Sequence, residues 1–443
     1  MSLDGETKPR WTGRFFTIWV SQALSLVGSS LAQFALVWWL TQTTGSATVL
    51  ATATLMSLLP GVVLGPLAGA LVDRWNRRLV MIAADGTVAL ASAWLALLFW
   101  TGGIQVWHVY VAALVRAIGG SFHWPAMQAS TSLMVPEKQL TRVAGLNQTM
   151  YGVLNIISPP LGALLLGLLP LHAIMGIDVG TALLAIAPLL FLTVPQPTRS
   201  LPAASRRATV WQDLGEGLRY IWQWPGAVAL LGMAAVINLL VNPGFSLLPL
   251  LVTRHFNGGA LQLGGLESAW GFGVIAGGLI LSAWGGFRRR ILTTLVGLIG
   301  MGLGTLVLGL APATAFWLAV GSMFFAGLMN PITNGPVMAI LQARVEPQMQ
   351  GRVFTVVGSL SSAMSPLGLA VAGPVADWLG VQVWFLVGGA VCALMGMVGL
   401  FVPAILFMED GVTGRRGDAE MGVRGGAETR RRGDAVQQAR SLQ

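Results

Sequence analysis

The sequence has little charge and almost no cysteine. Only 10% of its 443 residues are charged, whereas 54% are hydrophobic, and its mean hydropathy is +0.71. A soluble domain carries about 25% charged residues. The composition therefore excludes an ordinary soluble protein and indicates a chain that crosses a membrane repeatedly. The single cysteine, Cys392, excludes an internal disulfide.

The sequence also lacks the motifs of soluble enzymes. Its four histidines do not have the spacing of metal ligands, and it contains no phosphate-binding loop, nucleophile elbow or ATP-binding module. We therefore expect no enzyme activity, metal or cofactor, and any uphill transport must use an ion gradient or an external partner. The net charge of +9 does not indicate nucleic acid, because the basic residues lie between apolar runs, where anionic lipid accounts for them.

The apolar runs are continuous for about 20 residues and do not alternate, which predicts membrane helices rather than a barrel. The expected fold is an all-α polytopic membrane protein with twelve spans in two six-helix bundles. The predicted spans are 15–40, 47–72, 78–101, 105–134, 142–168, 173–195, 226–252, 262–284, 290–311, 314–341, 352–376 and 381–408.

The loop charges predict the orientation of these spans. Lysines and arginines concentrate on the side of the N-terminus, whereas the opposite loops contain only Arg254. The positive-inside rule then places both termini in the cytoplasm. The polar start of the chain gives no sign of a cleavable signal peptide, so we expect a multi-pass protein of the cell inner membrane.

The chain divides near its middle. Residues 196–225 are rich in proline and arginine at first, and then place Leu214, Leu218 and Ile221 at helical spacing. This pattern predicts a linker with an amphipathic helix on the cytoplasmic face. We therefore expect an N-terminal bundle over 1–195, a C-terminal bundle over 226–408, and a disordered cytoplasmic tail over 409–443.

The two halves repeat each other weakly. Residues 135–143, VPEKQLTRV, are similar to 345–353, VEPQMQGRV, and Ser158-Pro159 corresponds to Ser365-Pro366. Parallel six-helix repeats are typical of transporters in which two bundles rock against each other. Chance similarity between helices rich in proline and glycine is the alternative.

Charged residues inside spans are the first functional candidates, because they are costly in lipid unless they are paired or used. Arg116 lies near the middle of span four, where it must face a cavity or an acid; the alternative is a structural arginine bound to carbonyl or amide oxygens. Asp85, in span three, is a candidate for proton carriage. A structural pairing with Arg78 or Arg142 is slightly favoured for it.

Asp178 in span six and Glu267 in span eight are further candidates for proton coupling. Burial favours the neutral form of a carboxyl group and brings it towards the range where a proton is readily exchanged. The alternative for each is a residue at a helix end that reaches water. Glu267 is the stronger candidate, because glycines surround it and Arg254 is the only cation nearby in the sequence.

Amides and deep tryptophans are the candidates for contact with a hydrophobic or amphipathic substrate, although bonding between helices explains the amides equally well. These candidate binding residues are Gln22, Gln33, Asn155, Asn238, Asn242, Asn330, Asn334, Trp19, Trp124 and Trp270.

A charged turn between spans two and three carries the most specific motif. The pattern Gly69-x-x-x-Asp73-Arg74-x-x-Arg77-Arg78 resembles the loop signature of the major facilitator superfamily of secondary transporters. Gly65 and Gly69 share a helix face, where another helix is expected to approach closely. A loop that only fixes topology is the alternative reading.

Longer stretches are similar to the macrolide-efflux branch of the drug:proton antiporters. They include residues 16–26, 115–126 and 135–141, and a thinner similarity continues through 267–271. The resemblance implies proton-driven export of an amphipathic compound. It also implies that Gly69, Asp73, Arg74, Arg77 and Arg78 latch the cytoplasmic gate, with Asp73 facing the positive end of a helix from the other half.

Two details of this resemblance concern coupling. Arg116-x-x-Gly119 resembles the motif that is linked to proton coupling in the superfamily, which implies a role for Arg116 in the coupling core. Span five, in contrast, keeps only the Pro-x-x-Gly core of the glycine-rich antiporter pattern, over residues 152–163.

The sequence thus predicts a monomeric exporter of hydrophobic small molecules that exchanges them for protons. A lipid or siderophore exporter on the same fold, or a facilitator without coupling, is the alternative. A membrane enzyme is a remote further possibility, because the few polar residues form no catalytic dyad.

Overall fold

The structure is a computed structural model that describes residues 10–72, 74–196 and 210–409. Asp73 of the loop motif and the predicted tail from residue 410 onwards lie outside the described residues. Within the described part the chain is helical and contains no strand.

Six long helices form the N-terminal half. They are α1 (Arg10–Thr44), α2 (Ala47–Val72), α3 (Arg77–Thr101), α4 (Val106–Met134), α5 (Glu137–Leu168) and α6 (Leu171–Phe191). A short helix, α7 (Val210–Trp222), leads into the C-terminal half. That half contains α8 (Pro225–Leu240), α9 (Asn242–Leu250), α10 (Ala260–Trp284), α11 (Arg290–Leu310), α12 (Phe316–Arg344), α13 (Pro347–Leu379), α14 (Val381–Gly399) and α15 (Pro403–Leu406).

Eleven of the described helical segments are long and apolar enough to cross a membrane, against twelve predicted. The helix that is not among them is α4, which has 29 residues but carries Arg116 and two histidines in its sequence. Since α4 packs between α2 and α3, its neighbours rather than its own apolarity place it in the bundle.

The seventh and twelfth predicted spans are each interrupted. The seventh is divided into α8 and α9 at Val241, with Pro243 at the start of α9, and a π-helical turn follows over Leu251–His255. The twelfth was predicted as one helix to residue 408, which is wrong, because α14 ends at Gly399 and α15 begins at Pro403. Proline lacks the backbone donor that a continuous helix needs.

The helix pairings of the N-terminal half recur in the C-terminal half. In the first half α1 packs on α5 and α6, while α3 packs on α4 and α6, and α2 packs on α4. In the second half α8 packs on α13 and α14, while α11 packs on α12 and α14, and α10 packs on α12. Each pairing shifts by six spans, as two parallel repeats require.

The bundle has two ends. We call the end that carries α7 and the loops after α2, α4 and α10 the linker face, and the end that carries the loops after α1, α3 and α5 the far face. The halves meet through α5 against α10 and α2 against α13. A Cβ atom added at Gly271 would lie 2.7 Å from Ile156, and one at Gly373 would lie 2.7 Å from Thr48. Only glycine permits these close approaches.

A carboxylate joins the halves at the far face. Asp377, near the end of α13, accepts hydrogen bonds from the Ser46 hydroxyl at 2.8 Å and from the backbone N–H groups of Ala47 and Thr48 at 2.8 and 2.9 Å. The acid therefore caps the N-terminus of α2, where the helix dipole favours negative charge.

The buried cluster that both halves share lies towards the far face. One buried cluster combines residues of both halves, from Leu36 and Leu40 of α1 to Leu247 and Leu251 of the seventh span. Nearer the linker face each cluster belongs to one half, such as the cluster of Ile18 and Met81.

The close approach expected at Gly65 and Gly69 is absent, because a Cβ atom added at either would meet no described atom within 4 Å. In the described part of the chain, no helix of the C-terminal half therefore lies against α2 at these two glycines.

The linker contains the amphipathic helix that the sequence predicts. Ile221 of α7 is buried in a cluster with Val353 and Val356 of α13, whereas Trp222 is exposed. Arg352 forms an ion pair with Glu216. The linker helix therefore packs on the C-terminal half, and its placement at a membrane surface stays a prediction.

Candidate functional site

A cavity of about 600 Å³ lies between the two halves. Helices α1, α4 and α5 contribute its N-terminal wall, and α9 and α10 contribute its C-terminal wall. It is lined by Leu26, Ser29, Ser30, Gln33, Phe34, Val37, Arg116, Leu154, Asn155, Ser158, Pro159, Phe245, Glu267 and Trp270. Five residues that the sequence singled out therefore share one site, namely Gln33, Arg116, Asn155, Glu267 and Trp270.

Arg116 both lines the cavity and contacts an acid, as its depth in the span requires. Its guanidinium forms an ion pair with Asp178 of α6, which is completely buried. The Asp178 carboxylate also accepts hydrogen bonds from the Ser92 hydroxyl at 2.6 Å and the Ser29 hydroxyl at 2.9 Å. The pair is satisfied and neutral overall, so Asp178 is neither a residue at the water boundary nor a free acid of the cavity.

Glu267 lines the opposite wall of the cavity. Among the residues that the structure describes, no group donates a hydrogen bond to its carboxylate or forms an ion pair with it. Its neighbours on α10 form the contact with α5: the Ser268 hydroxyl donates to the Ile156 carbonyl at 2.8 Å, and Gly264 and Gly271 lie against the same helix. An unpaired acid therefore lies beside the surface along which the halves meet.

The other lining residues suit an amphipathic molecule. Phe245 and Trp270 pack edge to face, with ring centroids 4.7 Å apart, and give the C-terminal wall an aromatic surface. Gln33 and Asn155 supply amides on the other wall. Apolar walls with a few polar groups are typical of small-molecule sites.

Asp85 does not pair with Arg78 or Arg142, the partners that the sequence suggested. Its carboxylate accepts a hydrogen bond from Gln22 Nε2 at 2.9 Å and lies 3.4 Å from His123 Nε2. Arg78 instead donates to the carbonyl oxygens of Leu189 and Leu190 on α6. The arginine lies nearer the helix start than Asp85, and α6 offers it free carbonyl groups there.

Seven predicted binding residues lie outside the lining of this cavity. Gln22 is bonded to Asp85, and the Trp19 indole donates to Asn147 at 2.7 Å. Trp124 packs edge to face on Tyr151. The remaining four, Asn238, Asn242, Asn330 and Asn334, take part in hydrogen bonds within their own spans, and Asn242 also bonds Ser365 of α13.

Arg77 and Arg78 of the loop motif form hydrogen bonds to the N-terminal half. Arg77 donates to the Ala129 carbonyl at 2.8 Å, and its backbone N–H donates to Gln196. Arg74 is exposed. The bonds of Arg77 hold the start of α3 to α4 and to the chain after α6.

Sequence reasoning missed the serines and His123. Ser29, Ser30 and Gln33 fall on one face of α1, and this polar stripe in an apolar helix was a readable signal. His123 was considered only as a metal ligand. In the described part of the chain, no three His, Cys, Asp or Glu side chains are grouped as a metal site needs.

A family model and the sequences of known proteins both show similarity to membrane transporters. A family model described as "Major Facilitator Superfamily" matches residues 18–368 and 244–423. Macrolide efflux protein A of Streptococcus pyogenes is 34% identical over 388 residues, which cover 88% of this chain and 95% of that protein. Multidrug efflux pump Tap of Mycobacterium tuberculosis (strain CDC 1551 / Oshkosh) is 29% identical over 418 residues, which cover 89% of this chain and 94% of Tap.

Solved structures share the fold at low sequence identity. The nucleoside transporter NupG superimposes with a TM-score of 0.64 at 13% identity, over 87% of this chain and 98% of NupG. A bacterial homologue of the human lysosomal transporter Spinster, solved in an inward-facing and unoccupied conformation, has a TM-score of 0.63 at 14% identity. That match covers 91% of this chain and 98% of the homologue.

Proposed function

Because the chain belongs to the major facilitator superfamily, we propose that it exports amphipathic small molecules, macrolides among them, in exchange for protons. The names of the relatives support this substrate class and direction, since they are macrolide and multidrug efflux proteins. The cavity supports it as well, because aromatic, aliphatic and amide side chains line it together.

The observation that carries the proposal is the charge distribution of the cavity. Arg116 is neutralised by Asp178, whereas the Glu267 carboxylate has no partner among the described residues. Glu267 is therefore the group on which a proton or a cationic substrate acts. A shared site makes the two ligands exclude each other, which is the requirement for antiport.

The orientation follows from the loops. We place the linker face in the cytoplasm, since it carries Arg74, Arg77 and Arg78 as well as Arg288, Arg289 and Arg290. The described conformation is then open to the cytoplasm and closed at the outside. Both termini are cytoplasmic, the protein lies in the inner membrane, and one chain contains the complete site, so a monomer suffices.

Desolvation explains why only a loaded protein changes conformation. Moving the cavity from one side to the other requires an occluded state in which water leaves Glu267. Burying an unpaired charge costs several kcal/mol, even after relaxation. A bound proton, or a cationic group of the substrate, removes that cost, so the ionised and empty form stays open to the cytoplasm.

The loop motif acts in the conformation that is open to the outside. When the outside opens, α5 and α10 separate at the far face, and the cytoplasmic ends of the halves approach. Gly69, Asp73, Arg74, Arg77 and Arg78 then meet the C-terminal half, as the superfamily resemblance implies. Gly65 and Gly69, which face open space in the described state, would accept the approaching helix.

Reconstitution in vesicles tests this proposal. Purified protein is placed in proteoliposomes with an imposed pH gradient, and accumulation of a radiolabelled macrolide is measured. We expect accumulation against the concentration gradient for the unaltered protein and for the control Glu216→Gln, whose acid lies on α7. Glu267→Gln should abolish accumulation, because the amide neither takes up a proton nor neutralises a cationic substrate.

Two results would contradict the proposal. Equilibration without accumulation in the unaltered protein would indicate an uncoupled facilitator. Accumulation that Glu267→Gln leaves unchanged would exclude Glu267 as the coupling acid.

A further inference from the structure

The N-terminal half contains two layers of buried and partly buried polar side chains. One layer contains Ser29, Ser92, Arg116 and Asp178, which belong to α1, α3, α4 and α6. The other contains Gln22, Asp85 and His123, which belong to α1, α3 and α4. On each of the three shared helices the members are seven residues apart, which is two helical turns or about 10 Å.

The direction of each helix places the second layer nearer the linker face. Gln22 precedes Ser29 on α1 and Asp85 precedes Ser92 on α3, and both helices start at that face. His123 follows Arg116 on α4, which ends there. We propose that Asp85 and His123 form a second proton-binding site of this chain, between the cavity and the cytoplasm. The inference rests on the proposed function and adds to it a second group that binds a proton.

The pair brings a buried ring nitrogen close to a carboxylate oxygen without a completed hydrogen bond. His123 Nε2 is buried, lies 3.4 Å from Asp85 Oδ1, and has no hydrogen-bond partner among the described residues. The carboxylate attracts a hydrogen on Nε2 and repels a lone pair there, so it favours the neutral tautomer that carries the hydrogen on Nε2. The Gln22 amide already donates to the other carboxylate oxygen.

One more proton changes the charge of the pair by one unit. A neutral imidazole beside ionised Asp85 has a net charge of −1. Protonation of the second ring nitrogen forms an imidazolium beside the carboxylate, with a net charge of zero. Histidine is the side chain that makes this change between about pH 5 and about pH 8. No other group has to enter or leave the site.

The pair is partly exposed, unlike the Asp178 carboxylate. The side chains of His123 and Asp85 are 19% and 9% exposed, whereas that of Asp178 is not exposed at all. Close packing fixes the spacing of the two helices, because a Cβ atom at Gly119 of α4 would lie 2.6 Å from the Thr87 hydroxyl of α3.

The helices that pack on α3 or α4 present few competing charges to the pair. The sequence of α2 has no ionisable residue between 47 and 72, and that of α1 has none beyond Arg14. On α3, Arg77 bonds the Ala129 carbonyl and Arg78 bonds α6. On α6, Asp178 is held by Arg116, and His172 lies at the far-face end. On α5, the charges of Glu137, Lys138 and Arg142 lie in the first turns at the linker face.

The test is the dependence of efflux on cytoplasmic pH. Proteoliposomes are prepared with a constant pH difference across the membrane while the pH of the linker-face compartment is varied between about 5 and about 8. Macrolide efflux is compared for the unaltered protein, His123→Gln, Asp85→Asn and the matched control His172→Gln. Exchange of labelled for unlabelled macrolide at one pH reports whether each variant is folded and binds substrate.

We expect the unaltered protein and His172→Gln to show a titration step whose limb changes up to about tenfold per pH unit, as one proton-binding equilibrium does. His123→Gln and Asp85→Asn should lose this step and keep exchange. Profiles of both variants that superimpose on the unaltered profile would overturn the second site and leave the proposed function standing. Absence of proton-driven efflux in the unaltered protein would overturn both.

Discussion

At the scale of the residue, the ion pair with Asp178 compensates the charge of Arg116 inside a membrane span. Asp178 receives the guanidinium of α4 and the hydroxyls of Ser92 and Ser29, so four helices meet on one carboxylate. Removing one member of a buried ion pair leaves the other charge uncompensated. The pair therefore has a structural as well as an electrostatic role.

The stability of Asp178→Asn measures this role. We expect the free energy of unfolding to fall by about 3–5 kcal/mol, because Arg116 loses its counter-charge. Thermal unfolding in detergent gives the comparison, with Glu216→Gln as control. The Glu216–Arg352 pair is exposed, and such a pair contributes only about 0–1 kcal/mol. Equal melting temperatures for the two variants would show that Asp178 does not hold Arg116 in place.

Sequence reasoning at this scale found residues but not their partners. The cost of charge in lipid identified Arg116 and Glu267, and the amides Gln33 and Asn155 line the cavity with them. Gln22 looked equivalent to Gln33, yet it points to Asp85 instead of the cavity. Helical periodicity places a residue on a face, but only the packing of the helices determines what that face meets.

At the scale of the element, the contact of α2 with α13 closes the far face. Three donors at the start of α2 converge on Asp377, and the small Gly373 lies one turn away against Thr48. These bonds join the halves directly, so they must break when the cavity opens to the outside.

Asp377→Ala should shift the equilibrium towards the form that is open at the far face. Loss of a capping acceptor costs about 0.5–2 kcal/mol, which corresponds to a population change of about two- to thirtyfold. Labelling of a cysteine at Ala51 by a membrane-impermeant maleimide, added from outside, reports the change. The control Glu216→Ala removes an acid at the other end of the molecule. Labelling rates that are equal in both backgrounds would show that the bonds to Asp377 do not hold the far face closed.

The helices were largely predictable, because about 20 apolar residues define a span whatever surrounds it. Their interruptions were less so. Pro243 made a break possible, but the sequence did not indicate its position at Val241 or the π-helical turn that follows. The contact expected at Gly65 and Gly69 is not formed, because no described atom lies within 4 Å of a Cβ atom added at either glycine.

At the scale of the whole molecule, two bundles with similar helix pairings enclose a cavity whose charges are distributed asymmetrically. The pairings of the halves are repeated, yet only the C-terminal wall presents an unpaired acid to the cavity among the described residues. In the proposed function, the cost of removing water from Glu267 separates the two conformations, and a proton or a cationic substrate removes that cost. The weak sequence repeat indicated the two bundles. It did not indicate which end of the molecule is closed, because that depends on contacts across the halves.

The most direct test measures both faces at once by the distance between spin labels. In a Cys392→Ala background, one pair replaces Trp75 and Phe287 at the linker face, and the other replaces Gly103 and Thr314 at the far face. All four positions are exposed. At neutral pH without substrate we predict one long linker-face distance and one short far-face distance. Glu267→Gln, or added macrolide, should produce a second population with the linker-face pair closer and the far-face pair farther apart. Distances that stay unchanged, or that lengthen together at both faces, would contradict alternating access controlled by the charge of Glu267.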